Sequence, residues 1–183
     1  MRLKPITYLL LIICIFLIGC AIHRVNTLES TKYDQQKNQT EYLLFPFGSV
    51  ILPGKWEKTR YNSVSLQQFF TNQDSVELSI ALNDYTKFEF NQDGSKKGFD
   101  FLNDYYEWET NYRKSLNGLN SRIIESDKQK NYMIFQLFGQ YKENNINVFY
   151  LIKMPKNILN TISISSAKWD DDKKISFLRG LNQ

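Results

Sequence analysis

Asp170, Asp171 and Asp172 form the densest acidic cluster of the 183-residue chain, and consecutive carboxylates suit two roles. Calcium favours such oxygen ligands. The same charges also stabilise the positive end of a helix, by about 0.3–1 kcal/mol each. Lys173, Lys174 and Arg179 follow towards the C-terminal side, the order a helix dipole favours, so the cluster reads as a helix start. Asp104, Glu107 and Glu109 could supply the carboxylate pair of a glycosidase. Such a pair flanks a cleft from separate elements, whereas these three lie close together on one predicted helix and read as solvated helix carboxylates. Serines and lysines are too numerous to single out a Ser-Lys dyad. The absences exclude more. The single histidine is His23, and the two cysteines are Cys14 and Cys20. The folded part therefore has no imidazole for a Ser-His-Asp triad, no thiol nucleophile and no usual zinc ligands. Nor does it carry a glycine-rich phosphate loop. The chain reads as a non-enzyme, with no catalytic residue, no metal site and no cofactor.

Cys20 has a setting that does point to chemistry. Arg2 and Lys4 precede an apolar run from Tyr8 to Ile18, which Gly19 and Cys20 close. A spanning helix needs about 20 apolar residues, and a secretory apolar region roughly 7–15. Leu17-Ile18-Gly19-Cys20 resembles the lipobox of bacterial lipoproteins. The resemblance implies that residues 1–19 are a signal peptide and that Cys20 becomes the first residue of the mature chain. Its thiol and its new amine would then carry fatty acids such as palmitate. Several acyl chains hold a protein firmly on a membrane, which implies the bacterial cell envelope, with the domain facing the periplasm. Cys14 would leave with the signal peptide and Cys20 would be blocked, so no disulfide can form within one chain. Stability must come from a packed core. The formal charge of +4 includes Arg2 and Lys4, and no basic block marks a nucleic-acid footprint.

The elements behind these residues follow from patterning. Residues 20–42 are polar, and Gln35-Gln36-Lys37-Asn38-Gln39-Thr40 has no apolar period, so this stretch reads as a lipidated flexible tether. His23 falls in it as a solvated linker residue. A single α+β domain is expected over residues 43–183. Ser49 to Pro53 reads as a strand stopped by Pro53-Gly54. Val64, Leu66 and Phe70 alternate along a second strand, and Val76, Leu78, Ile80 and Leu82 give the cleanest period of two. A long helix is predicted from Lys97 to Asn117, stopped by Gly118. Strands at 121–126, 132–141, 146–153 and 161–166 follow, then a helix opened by the three aspartates. Strands joined by short turns pair antiparallel, and helices must cover the apolar faces. The fold class is therefore α+β, an antiparallel sheet of about six strands with helices packed on it.

This order, with Leu52-Pro53-Gly54-Lys55-Trp56 after the first strand, resembles the PsbP-like fold, an α/β/α sandwich. Its members include bacterial lipoproteins such as DcrB. The resemblance covers about the last three-quarters of the chain, and its most specific element is the turn from Pro53 to Trp56. It implies a core position for Trp56 and a protein that binds or assists other proteins, since family members share a fold and not a chemistry.

On the long helix, Phe101, Tyr105, Trp108, Tyr112 and Leu116 make one stripe expected to pack on the sheet. Phe99 and Tyr106 fall off that stripe, with Leu102 between the two faces. These three are the candidate partner surface. Asp74-Ser75-Val76 matches a short pattern at O-glycosylated serines of some envelope proteins, but reads first as a turn. Two functions are expected: a non-enzymatic protein-binding or assembly module on the envelope, or a carrier holding an apolar small molecule or lipid in a groove between sheet and helix.

Overall fold

The computed structural model describes residues 27–182. The predicted signal peptide of residues 1–19, Cys20 and His23 lie outside the described residues. Ten strands form two sheets. The smaller contains β1 (Leu28–Asp34), β2 (Gln39–Phe45) and β3 (Gly48–Pro53), in that order. The larger contains β4 (Glu57–Asn62), β5 (Gln67–Thr71), β6 (Glu77–Asp84), β7 (Asn120–Asp127), β8 (Tyr132–Tyr141), β9 (Asn144–Lys153) and β10 (Ile158–Ser165). Its spatial order is β4-β5-β6-β10-β9-β8-β7, with every pair antiparallel. Helices α1 (Gly98–Asn117) and α2 (Asp171–Gly180) complete the fold. The class is α+β as expected. The main sheet has seven strands and not about six, and a second sheet accompanies it.

The tether reading of residues 20–42 is corrected from Leu28 onwards. β1 and β2 pair from Leu28↔Phe45 to Asp34↔Gln39, around an exposed turn over residues 35–38. Thr40 and Tyr42 are buried. The folded unit thus starts well before residue 43. One face of this hairpin stays in water, and β1 carries few apolar residues.

The strand expected through Val64 and Leu66 is also corrected. Asn62 Oδ1 accepts from the amides of Val64 (3.0 Å) and Ser65 (3.2 Å), which holds residues 62–66 in a turn. Leu66 is left-handed there, at φ +53°. The strand before this turn, β4, is exposed at every residue. Ser75 likewise sits in a turn, at φ +58°, with Asn72 Oδ1 accepting from Val76 N.

Alternation along the strands sorts the core into two layers. Leu78 and Ile80 of β6, Ile134 of β8, Leu151 of β9 and Ile162 of β10 face α2 and the small sheet. Met133 and Phe135 of β8, Ile152 of β9 and Leu159 of β10 face α1. Trp56 is 3 % exposed, as its turn implied. Its indole N–H donates to Pro53 O (2.8 Å), and its ring lies 5.5 Å from that of Phe177 on α2. Asp170 caps α2 by accepting from Lys173 N (2.8 Å), with Asp171 and Asp172 in the first turn. Gly118 ends α1 at φ +67°.

Candidate functional site

Of the proposed partner surface of Phe99, Leu102 and Tyr106, one residue is buried and two are half-buried against the sheet layer. Leu102 is fully buried against β8. Tyr106 packs edge-on to Phe135 at 5.2 Å, and its hydroxyl is 3.1 Å from Ser121 Oγ. Phe99 packs on the same layer. The predicted stripe divides instead. Phe101 and Tyr105 are buried, Trp108 is half-buried, and Tyr112 and Leu116 are 50 % and 60 % exposed. The reason lies in the segment before α1, whose two short 3-10 turns carry Phe88 and Phe90 onto Phe101, Tyr105 and Trp108. The first half of α1 is thus covered on two sides, by the sheet and by this segment. Its second half overhangs.

That overhang borders an opening in the fold. The main sheet contacts of α1 fall on β7 and β8, and beside them the face of β5, β6 and β10 carries two adjoining clefts of about 350 and 260 Å³. Gln67 and Arg113 line both clefts. The floor is hydroxyl-rich: Ser79 and Ser163 pair across β6 and β10 with their oxygens 2.6 Å apart. Thr161 is 3 % exposed and lies beside the Tyr105 hydroxyl. The rim is apolar, with Val64 and Leu66 from the 62–66 turn on one side and Trp108 of α1 on the other. Val64 is 93 % exposed.

One ion pair stands in the wall. Arg113 Nε donates to Glu109 Oε1 at 2.8 Å, one helical turn away, and Glu109 is buried. Burial pulls the Arg113 guanidinium down, but the charge and hydrogen bond of Glu109 outweigh it and hold the group above its ordinary value. Burial, aided by the Glu109 charge, pushes the Tyr105 hydroxyl up. Burial likewise pushes the Tyr150 hydroxyl up to about 12. Near neutral pH the clefts therefore present a fixed cation and neutral hydroxyls. Both lining carboxylates are engaged, Glu109 by Arg113 and Glu77 by Arg60 at 2.9 Å. The arrangement can donate and accept hydrogen bonds and cover apolar groups, but has no free carboxylate pair for acid-base work.

The other carboxylates found in the sequence do not join this site. Asp104 pairs with Lys96, and Glu107 is exposed. Asp171 bonds Lys174 Nζ (3.1 Å) and Asn147 Nδ2 (2.9 Å). Among the described residues no group of His, Cys, Asp or Glu is arranged to hold a metal ion. No described helix is long and apolar enough to cross a membrane.

No family model matches the chain, and none of the curated proteins matches it in sequence. Among solved structures, it is similar to cyanobacterial PsbP from Synechocystis. That likeness has a TM-score of 0.48 and 10 % identity, over 89 % of this chain and 94 % of that one.

Proposed function

We propose that the chain is a lipoprotein of the bacterial cell envelope, anchored through Cys20 and facing the periplasm, whose domain binds another protein without catalysing a reaction. The observation that carries the binding role is the open, apolar-rimmed cleft pair beside the overhang of α1. A partner segment would lay apolar side chains on Val64, Leu66, Trp108 and Tyr112. Its polar groups would meet Gln67, Ser163 and Arg113. Such a mixed surface, with aromatic anchors around a satisfied ion pair, suits protein recognition. An apolar small molecule would call for an enclosed, apolar-lined chamber, and the hydroxyl floor disfavours it. Lipobox and element order together support a place beside DcrB-like lipoproteins within the PsbP-like group.

Affinity purification of the acylated chain from envelopes tests this reading. The parent should retain a protein that the Val64→Ser, Tyr112→Ser variant loses, while both melt alike. Retention of the same protein by both would reject the cleft, and co-purification of a lipid in its place would favour the carrier.

A further inference from the structure

Next to the larger cleft, the corner where the described chain begins has an exposed apolar cluster. Leu28 opens β1 and pairs directly with Phe45 at the end of β2. They are 71 % and 56 % exposed. Pro46 follows and is exposed as well. Cations border this corner. Lys87, which also lines the larger cleft, has its Nζ 5.5 Å from the ring centroid of Phe47. Lys130 lines a cleft that includes Ser49, the second residue of β3, while Lys153 in the same cleft donates to Leu181 O. In that cleft the buried Asn160 Oδ1 has no hydrogen-bond partner.

The length of chain before this corner limits how far it can stand from an anchored Cys20. Cys20 precedes Leu28 by eight residues. Fully extended, they reach at most about 28 Å, at about 3.3–3.6 Å each. An acylated Cys20 therefore keeps Leu28 within about 28 Å of the bilayer whatever path the segment takes. The opposite end of the hairpin, at residues 35–38, is polar and lies about 20 Å further along β1, at about 3.3 Å per residue. An apolar pair flanked by lysines at the tethered end matches an anionic bilayer surface, where aromatic rings and aliphatic groups sit at headgroup level and lysines meet phosphates.

We infer that the domain seats on the membrane through Leu28, Phe45 and Pro46, with Lys87 and Lys130 facing lipid phosphates. The inference rests on the anchor reading of Cys20. The seat fixes the orientation of the domain, which the lipid on a linker alone leaves free.

Single-site labelling tests it, because after removal of the signal peptide Cys20 is the one remaining cysteine and the anchor chemistry blocks it. Leu28→Cys, Phe45→Cys and Gln36→Cys, each in the full acylated chain, would carry an environment-sensitive fluorophore. They would be reconstituted in phosphatidylethanolamine–phosphatidylglycerol vesicles containing a nitroxide-labelled lipid. Mass spectrometry of the same samples reads the state of Cys20. The seat predicts severalfold stronger quenching at residues 28 and 45 than at residue 36. Equal quenching at all three, with Cys20 acylated, overturns the seat and leaves the anchor standing. An unmodified Cys20 overturns the anchor and the seat with it.

Discussion

Replacing Thr40 with valine separates a tether from a folded strand. Thr40 is fully buried, and its hydroxyl works in both directions. Oγ1 donates to Gly54 O at 2.8 Å and accepts from Trp56 N at 3.0 Å, which ties β2 to the turn that leads into the main sheet. Valine keeps the shape and removes both bonds. Each is worth about 0.5–1.5 kcal/mol net, and a buried backbone group left unpaired costs about 1–3 kcal/mol. The expected loss is therefore about 2–4 kcal/mol. Urea unfolding followed by tryptophan fluorescence reads it well, since Trp56 is packed beside the lost bonds. With a slope of about 2–3 kcal/mol/M the midpoint should fall by about 1 M. A residue in a flexible tether would change stability by less than about 0.5 kcal/mol. A midpoint that does not move would refute the Thr40 clamp and return residues 28–42 to the linker.

Phe99→Ala with Tyr106→Ala should destabilise by about 3 kcal/mol or more in chemical denaturation, because both rings pack in the α1 layer. Arg113→Ala should cost about 3 kcal/mol by leaving the buried Glu109 unpaired, and a further Glu109→Gln change should restore part of it in the same assay. Tyr132 donates a hydrogen bond to Glu125, which, with Arg179, holds that carboxyl below its ordinary value of 4.5. A lowered folded-state value stabilises the fold above the ordinary range and is lost as pH falls through the folded one. Tyr132→Phe should therefore cost about 1 kcal/mol at neutral pH, with the gap to the parent closing in acid melts below the ordinary carboxyl range. Asp170→Ala should remove the α2 cap and cost about 1 kcal/mol in thermal melts.

Elements with a strong apolar period were legible in the sequence. α1 was expected over 97–117 and spans Gly98–Asn117. The run from Val76 to Leu82 became the buried face of β6. β1, β2 and β4 were missed: β1 and β4 are held mainly by backbone pairing with water on at least one face and need no apolar alternation, and β2 opens on the polar Gln39-Thr40-Glu41. β4 is stabilised at its exposed surface by Arg60, whose guanidinium lies 3.5 Å from the centroid of the Phe69 ring. The helix stripe was found, but periodicity cannot say how far along α1 the covering elements extend. Phe88 and Phe90 cover one end, so Leu102 became core while Tyr112 and Leu116 stayed exposed. Of the clefts, only Glu109 and Arg113 left a sequence signal, as opposite charges one helical turn apart. Ser79 and Ser163 meet only through the pairing of β6 with β10, across 84 residues.

Photo-crosslinking in intact cells tests the central claim most directly. A benzophenone side chain at Leu116, on the overhang of α1, reports on the cleft rim. One at Ile123, also exposed but on edge strand β7, serves as the control. Partner binding at the clefts predicts a discrete protein adduct from position 116 that is absent from position 123 and lost in the Val64→Ser, Tyr112→Ser background. No protein adduct from 116, or the same adduct from both positions, would contradict it.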